Sequence, residues 1–320
     1  MVANAMSDNQ NLKGEKMKQA IRITATASLM GLLALPLSAQ EFQAGPPLSA
    51  INQVGEYVPM SSNVKVYGSF HFTESCTFDA DKNLIVSMNA GNRAEGAPED
   101  GFVSLINPDG SVHTPRFIGA TRDGLDLVDP IGSAVRNGVL YTVDSGYLRS
   151  FDLASGRPLN SFQVPGAGFL NGIGVAEDGT AFISDSNNER IIEVTADGRS
   201  SVFYEGPALA RPNGVAIDND GNVVVVNINT NDVLTFNREG EVILTEHSVE
   251  AGNDGVVVTA DGTKYTSSVR FGSVSRIRPG QDAEVIASGI PSAASMCYDS
   301  TQHQLVIPMN PNNALAFIKL

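Results

Sequence analysis

From about residue 61 onward, apolar residues come in short runs rich in Val, Ile, Phe and Tyr, separated by Gly, Asn and Asp. Runs of this length with period-two alternation predict β-strands, and no long stretch carries the 3.6-residue periodicity of a helix. One segment shows the grammar of the chain: Gly214–Ile217, Asn222–Val226, Asp232–Phe236 and Glu241–Thr245 read as four consecutive strands. Acidic-Gly pairs recur between strands, at Asp109-Gly110, Asp178-Gly179, Asp197-Gly198, Asp220-Gly221, Glu239-Gly240 and Asp261-Gly262. Glycine accepts the positive φ of a tight hairpin, which a Cβ resists.

The pattern repeats. L-N-G-I-G-V-A-E-D-G from Leu170, P-N-G-V-A-I-D-N-D-G from Pro212 and N-D-G-V-V-V-T-A-D-G from Asn253 align position by position. T-E-S-C-T-F-D from Thr73 is a fourth, less regular copy. Units of roughly 40 residues built from four strands predict the blades of a propeller. Six can be laid out, starting near Phe72, Asp129, Phe169, Arg211, Gly252 and Pro291. The expected fold is therefore all-β: a six-bladed β-propeller of four-stranded antiparallel blades over residues 61–320. The sixth unit holds only three strands, Ser295–Tyr298, Gln304–Pro308 and Ala314–Leu320. Asn63–Ser69 supplies the fourth, so an N-terminal strand closes the ring and removes two exposed sheet edges.

Ahead of the propeller, residues 40–60 with Gly45-Pro46-Pro47 read as a linker. Residues 1–39 read as a signal peptide: Lys13, Lys16, Lys18 and Arg22 precede an apolar run from Ile23 to Leu37, which ends in Leu37-Ser38-Ala39. A buried helix would need a polar stripe, and the run is short for a membrane span. Met17 is an alternative start. Export implies a periplasmic or secreted protein with no stable membrane insertion after cleavage. In an oxidising compartment Cys76 and Cys297 can pair, or remain two buried thiols; spacing alone does not choose.

Composition changes the picture in one respect. The balance of 21 basic and 35 acidic residues gives a net charge of −14. With no basic cluster in the mature region, nucleic acid is not an expected partner, and a small-molecule substrate is. Oligomeric state is not legible.

The candidate chemistry lies at one position of the repeat. The first strand of a propeller blade lines the central channel, and the six equivalent residues are Glu74, Ile131, Asn171, Asn213, Asp254 and Ala294. An Asn-Gly pair alone is an ordinary turn dipeptide. Four oxygen-bearing side chains converging on one axis instead suggest a site for a hard cation. All-oxygen ligation suits Ca²⁺ first, with Mg²⁺ or Mn²⁺ as alternatives, and disfavours Zn²⁺. Arg93, Asn187, Glu189 and Arg270 lie in loops facing the same mouth. Asp144, Asp185 and Asn227 end second strands, where turn capping is the expected role. Asp218-Asn219-Asp220-Gly221-Asn222 lacks the downstream Glu of a calcium loop and reads as a hairpin. The chain has no G-x-S-x-G, H-E-x-x-H or C-x-x-C, and His71, His113, His247 and His303 are dispersed.

Glu in blade one, Asn in blades three and four and Asp in blade five, with P-N-G-V-A-I-D and N-D-G-V-V-V, resemble the gluconolactonase/regucalcin (senescence marker protein) family of six-bladed propellers. The resemblance covers roughly Phe72 to Leu320. It implies that Glu74, Asn213 and Asp254 hold the metal, that Asn171 contacts substrate or a metal-bound water, and that Asp254 acts as the base in lactone hydrolysis. One position departs from the family. Members acting on sugar lactones usually carry Arg two residues before the blade-three Asn, where this chain has Phe169. With Phe169, Arg93, Glu189 and Arg270 as substrate contacts, the expectation is an exported metal-dependent lactonase or esterase. The alternatives are a non-catalytic propeller whose metal ties blades together while its loops bind a ligand or protein partner, and a related propeller enzyme such as a lyase.

Overall fold

The structure is a computed structural model that describes residues 48–68, 70–94, 99–119 and 127–320. The signal-peptide reading of residues 1–39 lies outside the described residues. Six four-stranded antiparallel sheets follow one another along the chain, each strand pairing with the next except at the outer edge of the sixth, which takes a strand from ahead of the first. Blade one holds Thr73–Asp79, Leu84–Asn89, Phe102–Ile106 and Val112–Gly119. The innermost strands of blades two to six are Pro130–Arg136, Leu170–Val175, Pro212–Ile217, Asn253–Val258 and Cys297–Asp299. The predicted six-bladed propeller is the observed fold.

Burial explains why the sequence pattern varies between strands of one blade. The second strand is covered on both faces by neighbouring strands and the adjacent blades, so Val223–Asn227 is wholly buried and reads as a continuous apolar run. The outermost strand Val242–His247 faces solvent along most of its length. Between blades three and four, Phe182 and Phe236 are fully buried, and Phe203 meets both rings edge to face, at 4.8 and 6.1 Å between centroids. Removing either buried ring would cost about 3–5 kcal/mol. The acidic-Gly hairpins form as expected: Gly179, Gly221 and Gly262 all have φ between 81° and 85°. The Asp218 carboxylate accepts from the Asp220 and Asn222 amides at 2.9 and 2.8 Å, which makes this segment a hairpin.

The ring closes through two connections. Val64–Gly68 pairs with Ala314–Lys319 in register from Ala314↔Gly68 to Ile318↔Val64, completing blade six. Cys76 on the inner strand of blade one and Cys297 on that of blade six form a disulfide, with Cα atoms 5.4 Å apart. This resolves the choice between a bridge and two buried thiols. Within the segment read as a linker, Ser49–Ile51 pairs with Tyr57–Pro59 as a short hairpin. Just beyond it, the Ser61 amide donates to the Ser288 carbonyl at 2.9 Å, tying the chain to blade five.

The closing strand should dominate the stability of the amino-terminal region. A chain starting at residue 61 is expected to unfold near the temperature of a longer one. A chain starting at residue 70 loses the blade-six pairing and should unfold more than about 10 °C lower, the equivalent of several kcal/mol in a domain of this size. Equal melting temperatures in scanning calorimetry would sink the closure.

Candidate metal centre

The second residue of each inner strand in blades one to five is Glu74, Ile131, Asn171, Asn213 or Asp254. A register shift falls at this position in all five blades, between Thr73/Ser75, Pro130/Ser133, Leu170/Ile173, Pro212/Val215 and Asn253/Gly255. A bulge frees one residue from ladder pairing and re-aims its side chain. The glycine that follows in four of the blades is not a turn residue. A Cβ on Gly132, Gly172 or Gly214 would lie 2.0, 2.2 or 2.5 Å from the carbonyl oxygen of Asn171, Asn213 or Asp254 respectively. Glycine is present because adjacent inner strands touch there.

Hydroxyls from second strands fasten the same contacts. Ser184 Oγ accepts from the Gly172 amide at 2.8 Å and donates to the Asn213 carbonyl at 2.6 Å, bridging blades three and four. Ser267 Oγ does the same between the Gly255 amide and the Ala294 carbonyl, at 3.0 and 2.6 Å.

The structure brings Glu74, Asn213 and Asp254 into one electrostatic unit. Asn213 Nδ2 donates to Asp254 Oδ2 at 3.2 Å, and Asn310 Nδ2 donates to Glu74 Oε2. Burial pushes the Glu74 carboxyl up to about 7; Arg93 opposes this and Asp129 adds to it. Burial also holds Asp254 well above the usual carboxylate range, and the Glu74 charge raises it further. Burial and mutual repulsion disfavour ionising both carboxylates, and among the described residues only Glu74 has an ion-pair partner, Arg93. The carboxamide oxygens Asn213 Oδ1 and Asn310 Oδ1 are buried with no hydrogen-bond donor. Unspent oxygens beside two electrostatically frustrated carboxylates fit a hard divalent cation. Among the described residues no three His, Cys, Asp or Glu side chains group as ligands, so a cation here would need carboxamide oxygens, a set that suits Ca²⁺ better than Zn²⁺.

Around this centre the other candidates divide. Arg93 lies at the mouth, with Nη1 3.9 Å from Glu74 Oε1 and Nη2 3.3 Å from Asp129 Oδ2. Its guanidinium carbon sits 5.1 Å from the Phe72 ring centroid and 5.8 Å from that of Phe169. Asn171 is buried in its expected strand position. Glu189 is exposed, and its carboxylate accepts from the Arg211 amide at 3.1 Å. Arg270 is exposed and bonds Asn229 Oδ1 at 3.4 Å. Neither has a hydrogen bond or ion pair to the central carboxylates. Asp185 accepts from the Gly168 and Phe169 amides, Asp144 from those of Val128 and Asp129, and Asn227 from that of Ala210. These three second-strand residues are caps, and they hold the segments that lead into the inner strands.

Sequence reasoning missed Asn310, Asp129 and Phe72. Asn310 follows the second strand of blade six, in Asn310-Pro311-Asn312, and reaches Glu74 across the ring closure. No repeat position marks it. A cavity of about 310 Å³ lies between blades two and three beside Asp129 and Phe169. One of about 550 Å³ is bounded by later residues of the inner strands, among them Phe78, Arg136 and Val258, and belongs to the opposite end of the channel.

Residues 117–246 match the family model described as SMP-30/Gluconolactonase/LRE-like region. The match runs from the outer strand of blade one to that of blade four, so it takes in Asn171 and Asn213 and leaves Glu74 and Asp254 outside it. No curated protein matches the chain in sequence. Among solved structures, it is similar to a gluconolactonase from Xanthomonas campestris, at 19% identity over 88% of this chain and 99% of that one, with a TM-score of 0.61. It is also similar to a putative gluconolactonase, at 16% identity over 85% and 97% of the chains and a TM-score of 0.59. A virginiamycin B lyase from Staphylococcus aureus matches at 14% identity over 80% and 99%, with a TM-score of 0.55. At these identities the likenesses show the fold.

The raised carboxyl pKa values give a signed expectation. A folded pKa above the unfolded one contributes stability that is complete below the ordinary glutamate value of 4.5 and is lost as pH rises through about 7 for Glu74. Chelator-treated protein should therefore melt at lower temperature at about pH 8 than at about pH 5, and the gain from saturating Ca²⁺ should grow over the same interval. A Ca²⁺ gain that is absent, or that does not change with pH, would contradict the site.

Proposed function

We propose that this chain, with its SMP-30/gluconolactonase/LRE-like region, is an exported, divalent-metal-dependent hydrolase acting on a lactone or a related ester. One observation carries the reading: Asp254 is buried and Glu74 is largely covered, with each carboxylate raising the other's cost of ionising, next to an Asn213 carboxamide oxygen with no donor. Glu74, Asn213 and Asp254 would hold the cation, Ca²⁺ first and Mg²⁺ or Mn²⁺ as alternatives. When bound, the cation would supply Lewis acidity toward the substrate carbonyl oxygen.

The residues of the chain would do the remaining work. The Asn213 amide and the Ser295 backbone amide fix the Asp254 carboxylate. Asp254 would accept the proton of an attacking water, with coordination to the cation lowering its basicity. Asp254 would then return that proton to the leaving ring oxygen as the acyl C–O bond breaks, giving a hydroxy acid. Asn310 orients Glu74. Asn171 and Arg93 stand at the mouth as substrate contacts, with Phe169 as an apolar wall. Glu189 and Arg270 would contact only the outer part of a larger substrate. The Cys76–Cys297 disulfide supports an oxidising compartment, periplasmic or extracellular.

A second reading is favoured by where the ligands sit. Glu74, Asn213 and Asp254 belong to blades one, four and five, so a cation could serve only to tie the ring together while the loops bind a ligand or protein partner.

The two readings separate in one experiment. Against a panel of lactones and esters, chelation and Asp254→Asn should each lower hydrolysis at least about 100-fold, the scale of losing a positioned base. Readdition of Ca²⁺ should restore the chelated wild type only. Bound metal without turnover on the panel supports the tie. Turnover insensitive to both chelation and Asp254→Asn rules out the metal-hydrolase mechanism.

A further inference from the structure

Among the described residues, Arg93 is the only cation in an ion pair with a central carboxylate. Its guanidinium stands between two acidic groups. Nη1 lies 3.9 Å from Glu74 Oε1 on blade one, and Nη2 lies 3.3 Å from Asp129 Oδ2, just ahead of the inner strand of blade two. Neither contact is the short bidentate fork that a guanidinium makes with a carboxylate when both are free to close. The Phe72 and Phe169 rings retain the group, with centroids 5.1 and 5.8 Å from its central carbon. Cation–π attraction extends to about 6 Å from a centroid, so two rings can hold a guanidinium without fixing it at one point.

The two acidic groups are not equivalent. Glu74 already accepts from Asn310 Nδ2 through Oε2. Asp129 Oδ1 is buried and accepts from no donor. That atom belongs to the carboxylate that Arg93 already reaches through Oδ2, so a guanidinium shifted toward Asp129 could take both oxygens. The shift has a cause. A divalent cation held by Glu74, Asn213 and Asp254 would repel a guanidinium left beside Glu74, and the repulsion is strong where little water screens it. The unpartnered oxygen of Asp129 lies where the displaced charge would go.

We propose that Arg93 is a displaceable counter-ion, pairing with Glu74 in the metal-free protein and moving wholly onto Asp129 when a divalent cation binds. Arg93 is then a positioning residue that sets cation affinity, and Asp129 is its second partner. The inference rests on the cation-site reading of Glu74, Asn213 and Asp254, and hydrolysis does not enter it.

The test is Ca²⁺ affinity by equilibrium dialysis at low ionic strength, on the full chain after chelator treatment. Arg93→Met should bind Ca²⁺ about ten-fold more tightly, because a competing like charge has gone. Damage to the fold would weaken binding, so the sign separates this role from a merely structural one. Arg93→Lys keeps the charge and should stay within about three-fold of wild type. Asp129→Asn returns the guanidinium to Glu74 and should weaken binding about ten-fold. The direct loss of a negative charge is the same with or without Arg93. The same Asp129→Asn change made together with Arg93→Met should therefore cost clearly less, and the difference reads the exchange itself. Should Arg93→Met fail to fold, Arg93→Gln takes its place in the cycle. Unchanged or weaker binding without the arginine overturns the counter-ion and leaves the cation site standing. Equal losses from Asp129→Asn in the two backgrounds overturn the move onto Asp129, and with it the proposal. No Ca²⁺ bound by wild type or by Arg93→Met overturns the cation site as well.

Discussion

The close approach of inner strands around the axis governs the rest of this molecule. At Gly132, Gly172 and Gly214 a single added carbon would collide with the carbonyl of the next blade's site residue. That contact forces glycine after the site residue, and a bulge at the same place turns the preceding side chain out of the ladder. Serine hydroxyls from second strands then lock neighbouring inner strands to one another. The scaffold thus places acidic and carboxamide side chains together in a water-poor space, where ionising both carboxylates is disfavoured. Pre-organisation of this kind is set by backbone packing before any ligand arrives.

Such a ring is only as rigid as its closure. Val64–Gly68 covers the last free edge of blade six, and the Cys76–Cys297 disulfide joins blades one and six at their inner strands. The bridge spans a sequence separation of 221. A loop of that size removes about 5 kcal/mol of unfolded-chain entropy in the chain-entropy account. The closure matters to the site as well as to stability. Glu74 belongs to blade one, and its partner Asn310 lies in blade six, so their hydrogen bond exists only when the ring is shut.

What the sequence made legible follows from repetition. Blade number, the closing strand and the Glu74, Asn213 and Asp254 positions were readable because each recurs at a fixed place in a unit. Asn310 was not, because it follows the second strand of blade six and occupies no recurring position of the repeat. Asp129 and Phe72 were missed because their roles depend on Arg93, which reaches them from a loop. The Asn-Gly pairs carry a further lesson. As dipeptides they signal turns, yet here they lie within strands, and their glycines answer a contact from another blade that no local pattern reports. Residues 49–59 were read as linker because three-residue strands fall below what periodicity can register.

The central claim is that Glu74, Asn213 and Asp254 form a cation site on the propeller axis. Anomalous X-ray diffraction from crystals grown with Mn²⁺ tests it most directly. The account predicts one strong anomalous peak on the axis, about 2.0–2.6 Å from oxygens of all three side chains, the range for hard divalent cations, and its loss in Glu74→Gln. An empty axis at saturating Mn²⁺, or a peak that ignores Glu74→Gln, would contradict it.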